Sequence, residues 1–220
     1  MDNPTPALTR FFGVVGSGRA YLNALYLLLA FPLGLFYFVF LAAGLLSGIA
    51  LSIVIIGIPI LLLVAGGWWL LAAFERQMAI HILQQEIPPM SRQAHGAPDI
   101  LGRLKGFASN PVTWKSFLYL GLKFPLGILG FVVVVFFGAL IGTMLFMPVT
   151  YETFQFSIDL GFGLPLWQID SIDKAVTLSV FGLLLWPVAL HAANGLAFIH
   201  GWLAKHMLGL KEQVPVEVSV

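Results

Sequence analysis

The chain has 220 residues, of which 59% are hydrophobic and 10% charged, with no cysteine and a net charge of +1. This excludes an ordinary water-soluble globule, a nucleic-acid binder that works by neutralising phosphates, and any disulfide, iron–sulfur, thiolate-zinc or c-type haem chemistry. A mean hydropathy of +0.95 makes lipid the expected solvent and membrane lipids the first expected partner.

From Ala20 to Phe74 there are 55 residues without a formal charge. One crossing takes about 20 apolar residues, so this run holds two, and it is too long for the apolar core of a cleavable signal peptide. The turn between them is expected at Ser52 to Pro59, where Gly57 offers a flexible position and Pro59 suits the first turn of a helix. The first span is read as 21–55, passing through Pro32, and the second as 59–85. Another 28 uncharged residues separate Lys123 from Glu152, and 30 separate Lys174 from Lys205, room for one crossing each. Asn110-Pro111 reads as an N-cap followed by proline at the first helical position, which opens the third span at 111; it is expected to close at 147, before Pro148. The fourth span covers 173–207 and contains Pro187. The expected fold is an all-α integral membrane protein with an interfacial segment 1–18, a four-helix domain 19–210 and a tail 211–220.

Orientation follows the positive side chains. Arg10, Arg19, Arg76, Arg92, Arg103, Lys105, Lys115, Lys205 and Lys211 flank one side of the spans and Lys174 alone flanks the other, nine against one. Both termini and loop 86–110 are expected in the cytoplasm, with 149–174 outside the plasma membrane. In the inner loop, Ile100, Leu101, Leu104 and Phe107 beside Arg103 and Lys105 describe a short basic amphipathic helix at the leaflet surface.

The chain repeats itself. Tyr26-Leu27-Leu28-Leu29-Ala30-Phe31-Pro32-Leu33-Gly34 returns 93 residues later as Tyr119-Leu120-Gly121-Leu122-Lys123-Phe124-Pro125-Leu126-Gly127, with seven of nine identities. A weaker echo at an offset of 125 links Leu71-Ala72 and Ala79-x-His81-x-Leu83 to Leu196-Ala197 and Ala204-x-His206-x-Leu208. The four spans therefore read as two parallel-repeated helical hairpins, with a pseudo-two-fold axis along the membrane normal.

The doubled Phe-Pro-Leu-Gly, together with Ile56-Gly57-Ile58-Pro59, Phe74-Glu75-Arg76 and Asn110-Pro111-x-x-Trp114, resembles the "putative sensor" transmembrane domain family over about residues 19–210. That domain is found at the front of actinobacterial and haloarchaeal histidine kinases and also free-standing. The resemblance implies a four-helix sensing module and carries no ligand or catalytic residue across. Eleven residues follow Gly209, too few for a phosphoacceptor helix or an ATP-binding domain, so the expected output passes through a separate protein.

Several side chains stand out for chemistry. Gly13 to Arg19 has a phosphate-loop look but lacks the Lys-[Ser/Thr] and the preceding strand, and with Phe11 and Phe12 reads as a surface segment. His191 lies deep in the fourth span, where an ionisable group is expected to face the bundle interior. Asn194 shares its face, and the pair reads as a polar site that hydrogen-bonds across helices, with haem ligation or proton relay through a second histidine as the sharper alternative. Lys123 replaces Ala30 of the first repeat. Its stem can carry the ammonium back to the interface, the alternatives being a buried partner or a lipid headgroup. Pro32, Gly34, Pro125 and Gly127 are read as close-packing elements with a hinge as the functional alternative. Glu75 and His81 fall at the end of the second span, where solvated polar groups are expected. Outside, Tyr151-Glu152-x-Phe154-x-Phe156-x-Ile158-Asp159 alternates in character and continues to Trp167, Asp170 and Asp173; it is read as resting on the bilayer, or as a recognition lid formed by Glu152, Asp159, Trp167, Asp170 and Asp173.

No paired intramembrane carboxylates, metal-spaced histidines or nucleophile motif occur in the sequence, so neither enzyme activity, nor a metal, nor a cofactor is expected. The functional expectation is a non-enzymatic sensor-like module that relays a signal to another membrane or cytoplasmic protein and binds no nucleic acid. The alternative is a structural accessory subunit of a larger membrane complex.

Overall fold

A computed structural model describes residues 7–90, 100–153, 157–159 and 165–210. The expected tail 211–220, the part of the inner loop between 91 and 99, and the outer residues 154–156 and 160–164 lie outside these. The chain is an all-α membrane protein with four helices long and apolar enough to cross a bilayer. These are Gly18–Leu51 (α2), Gly57–His81 (α3), Pro111–Thr150 (α5) and Ile172–Met207 (α6). Two shorter helices join them, Ala7–Gly13 (α1) and Ile100–Ser109 (α4). In lipid a helix satisfies its own backbone polar groups, which is why the uncharged runs take this form. At 1.5 Å per residue the 40 residues of α5 make a rod of about 60 Å, twice the roughly 30 Å of hydrocarbon, so α5 tilts or projects into water.

The helix boundaries have local causes. Asn110 caps α5, its Oδ1 accepting the Val112 N–H at 2.9 Å while its Nδ2 donates to the Met90 carbonyl at 3.1 Å. The proline expected to end this helix does not end it: α5 continues through Pro148 to Thr150. Proline removes the N–H that would bond the carbonyl four residues back, that of Met144, and the Ser179 hydroxyl of α6 donates to that oxygen at 2.9 Å instead. Between α2 and α3 a 3-10 turn covers Ser52–Val54, and the left-handed position is taken by Ile55 at φ 69°, not by Gly57. Gly57 is needed for space, since a Cβ there would strike the Gly48 carbonyl and the Ser52 amide.

Between α5 and α6 the chain forms two short strands. Ser157–Asp159 (β1) and Pro165–Gln168 (β2) pair as an antiparallel ribbon, with Ser157 opposite Gln168, Ile158 opposite Trp167 and Asp159 opposite Pro165. A period of two along a chain is the signature of a strand, and the last three residues of the alternating stretch, Ser157–Asp159, take that form.

Contacts divide the chain into two compact units, one of Met1–Leu25 with Val132–Gly195 and one of Tyr26–Phe131 with Leu196–Val220. In the first, Met147, Ile169, Ala175 and Leu178 form one buried cluster, and Val14, Ala20 and Leu190 another against Val15 and Trp186. In the second, Trp68 of α3 packs on Phe107, Trp114 and Phe117 and donates to the Ser116 hydroxyl at 3.3 Å.

The two Phe-Pro-Leu-Gly elements meet within the second unit. A Cβ on Gly34 would lie 2.7 Å from the Lys123 carbonyl oxygen, and one on Gly127 would lie 2.5 Å from the Ala30 carbonyl oxygen. Each glycine thus faces the same backbone position of the other copy. As the α2 residue rises from Leu27 through Ala30 to Gly34, its α5 partner falls from Gly130 through Gly127 to Lys123, so the segments pass in opposite senses at this contact, not in the common sense that the expected parallel repeat gives them. All nine repeat pairs also share a burial class, from buried Tyr26 and Tyr119 to exposed Pro32 and Pro125.

This contact fixes the sign of a mutational effect. In a free helix Gly→Ala stabilises by about 1 kcal/mol. Gly34→Ala and Gly127→Ala are instead expected to destabilise by about 1–3 kcal/mol through overpacking against backbone. Gly121→Ala, where an added Cβ meets nothing within 4 Å, should stabilise. Thermal unfolding in detergent micelles reads all three.

Candidate functional site

Lys123 does not reach the interface. Its side chain is 1% exposed and its ammonium lies 2.7 Å from Glu75 Oε2, whose side chain is 0% exposed. Glu75 is therefore not the solvated helix-end group that its position suggests. The reason is local: after α3 the chain folds back along it. The Arg76 guanidinium clamps that return by donating to the Ile87 carbonyl at 2.6 Å and the Pro88 carbonyl at 3.0 Å, and Leu83 and Ile87 bury beside it.

The ion pair is completed by tyrosines from α2 and α5. Tyr37 donates to Glu75 Oε1 at 2.9 Å and Tyr119 to Oε2 at 3.0 Å, while Lys123 donates also to the Tyr26 hydroxyl at 2.5 Å. The same ammonium lies 4.4 Å from the centre of the Tyr26 ring and 5.9 Å from that of Tyr119, where the ring faces attract a cation. One carboxylate thus accepts three donors, and one ammonium is held by a carboxylate, a hydroxyl and two rings. Charge-assisted bonds of this kind are short and strong, and in a low-dielectric interior they are what makes burial of either charge tolerable.

The second echo extends the site. The offset of 125 that pairs Ala72 with Ala197 and Ala79 with Ala204 also takes Glu75 to His200. Those four alanines are buried, and so is His200, at 2%. Its ring meets Tyr26 edge-on at 5.6 Å, and its Nε2 has no hydrogen-bond partner among the described residues. The other echoed histidines also match: His81 and His206 are exposed, and their Nδ1 atoms lie 2.9 and 2.8 Å from the carbonyl four residues back.

The remaining sequence candidates divide. Gly34 and Gly127 are buried at the crossing, with Pro32 and Pro125 exposed beside it. His191 and Asn194 do not form one site. His191 is exposed, with its Nε2 3.2 Å from the Phe11 carbonyl and its ring stacked on Phe11 at 5.3 Å, because α1 lies against that face of α6. Half-buried Asn194 instead accepts from Asn23 of α2 at 2.8 Å. Among the outer residues, Glu152 is exposed and accepts from Tyr151, a bond that raises the tyrosine's pKa. Asp170 is paired with Lys174 at 2.8 Å, which holds its carboxyl below the usual range, and the Lys174 ammonium also donates to the Gln168 carbonyl at the end of β2. Asp173 is exposed in the first turn of α6, and Asp159 and Trp167 sit in the ribbon. No three metal-ligating side chains gather among the described residues.

The sequence reading missed Tyr26, Tyr37, Glu75, Tyr119 and His200 as one constellation. Two signals pointed to it: the repeated Tyr26/Tyr119 position, and a single acid at the end of one uncharged run facing a single base at the start of another.

A family model described as "Putative sensor" matches residues 26–208. No curated protein and no solved structure matches the chain.

Breaking the pair from one side should cost more than removing it. Lys123→Met leaves the Glu75 carboxylate buried without its cation, an expected loss of about 3–5 kcal/mol. Glu75→Gln combined with Lys123→Met should recover much of that. A double-mutant cycle by chemical unfolding should give a coupling energy of at least about 1 kcal/mol; simple additivity would show that the two side chains act separately.

Proposed function

The chain belongs to the Putative sensor family, and from that membership together with the buried Glu75–Lys123 pair we propose that it is a non-enzymatic sensor-like membrane module relaying a signal to a separate protein. The observation that carries the reading is the pair itself. Burying two charges seldom gains stability over an apolar packing of equal volume, so a buried ion pair is better suited to specifying one arrangement of helices than to strengthening it. Here it ties α2, α3 and α5 at a single carboxylate. A network of this kind is either closed or broken, which is the property a two-state relay needs.

The matched burial of the repeated residues and the exchange of glycine contacts support a duplicated origin for the two halves. The nine-to-one distribution of Lys and Arg supports a plasma-membrane orientation with both termini and loop 86–110 in the cytoplasm. On that orientation the signal leaves from the cytoplasmic ends of α3 and α6, which carry the exposed His81 and His206.

The test is gentle isolation of the wild-type chain and the E75Q/K123M double variant from native membranes, followed by mass spectrometry of what accompanies each. The relay reading expects a partner whose recovery changes at least fivefold between the two at equal membrane content. Equal recovery removes the pair as the switch, and a fixed stoichiometry with a larger complex in both makes the chain an accessory subunit.

A further inference from the structure

A cavity of about 290 Å³ lies within the first unit, between the start of α2, the later half of α5 and the middle of α6. Its wall includes Ala24, Gly138, Gly142, Trp186, Leu190 and Ala193, and every lining residue is apolar or glycine. It is about twice the size of the roughly 150 Å³ apolar cavity that stays dry and admits benzene in an engineered protein.

The two glycines decide what the space is for. At Gly34, Gly127 and Gly182 glycine permits close approach, since an added Cβ would lie within 3 Å of another helix, whereas Gly66, Gly121 and Gly195 have open space beside them. At Gly138 and Gly142 an added Cβ would meet nothing within 4 Å. Glycine within a helix costs stability relative to alanine, and here no neighbour requires it. What the pair provides is room. Gly138 is exposed, and beside it on α5 Val135, Phe136 and Leu140 are exposed as well, so the cavity opens onto the lipid-facing surface of a membrane helix. An occupant enters from the bilayer and meets a lining that is mostly hydrocarbon.

We propose that this cavity is a binding site for the acyl chain of a membrane lipid. Two of its walls serve a second purpose. Trp186 and Leu190 also pack against Val14, Val15 and Ala20, the residues that seat the N-terminal turn. A chain in the cavity therefore touches the side chains that hold this segment in place. The proposal stands apart from the relay reading, since a lipid site is compatible with either fate of the ion pair.

The test uses the full chain in phosphatidylcholine bilayers containing a small fraction of phosphatidylcholine with a mid-chain diazirine in one acyl chain. After irradiation and digestion, adducts per residue on 134–145 and 186–193 are expected to exceed those on the exposed apolar residues Leu35, Phe36, Phe38 and Val39 by at least threefold. Gly142→Leu, whose Cβ meets nothing within 4 Å, puts a side chain into the space and should abolish the excess while leaving labelling of Leu35, Phe36, Phe38 and Val39 unchanged; Gly142→Ala should retain it. Even labelling of all lipid-facing stretches overturns the proposal, as does an excess that persists in Gly142→Leu. Labelling by a diazirine alkane but not by the lipid probe overturns it too, assigning the cavity to a free apolar solute. If Gly142→Leu fails to insert, the wild-type adduct map alone decides between enrichment and none.

Discussion

A carboxylate and an ammonium removed from water constrain whatever surrounds them. Glu75 and Lys123 have no route to solvent, so every remaining bond to them comes from the protein, and the residues that supply those bonds cannot slide. Tyr26 and Tyr37 fix the register of α2, Glu75 that of α3, and Tyr119 and Lys123 that of α5. In a membrane this matters more than in water, because lipid tails solvate apolar helix faces as well as other helices do, and apolar packing alone discriminates weakly between registers. The polar cluster supplies what hydrophobicity does not.

The cluster in turn depends on how close the backbones come. Lys123 presents its carbonyl to Gly34 and its ammonium to Tyr26 of the same helix, so the contact that brings α2 against α5 also delivers the charge. A side chain at either glycine would push the helices apart and lengthen bonds of 2.5 to 3.0 Å that have no slack. The two devices are coupled: the glycines set the distance and the charges set the register. This places the function of Phe-Pro-Leu-Gly at its last residue, with the proline exposed on the other side of the helix.

The four rods were legible because absence of charge over 28 or more residues has one common physical explanation. The capped start of α5 was legible for the same kind of reason, Asn-Pro having a definite geometry. The site was hidden by position. Glu75 sits next to Arg76 and near His81, the usual company of a helix end in water, and nothing in that stretch announces that the chain turns back to cover it. Lys123 has a stem long enough to snorkel, and whether it does depends on a partner 48 residues away in sequence. His191 misled in the opposite direction. Its depth in an apolar run argued for the interior, but α1 supplies a local partner in Phe11 that makes an outward-facing position tolerable. The ribbon was in plain view as a period of two, yet a stretch beyond the membrane was easier to read as an interfacial segment than as a pair of strands.

The repeat does not duplicate the buried charge pair, which takes its acid from one half and its base from the other. Carried across, Lys123 becomes Ala30 and Glu75 becomes His200. The equivalent positions, Ala30 in the first half and His200 in the second, thus keep the burial but replace the ammonium with a methyl group and the carboxylate with an imidazole, which can be buried uncharged and so needs no counter-ion. Tyr26 stands between the halves, bonded through its hydroxyl to Lys123 and touching His200 with its ring. The His200 Nε2 at that ring has no partner among the described residues.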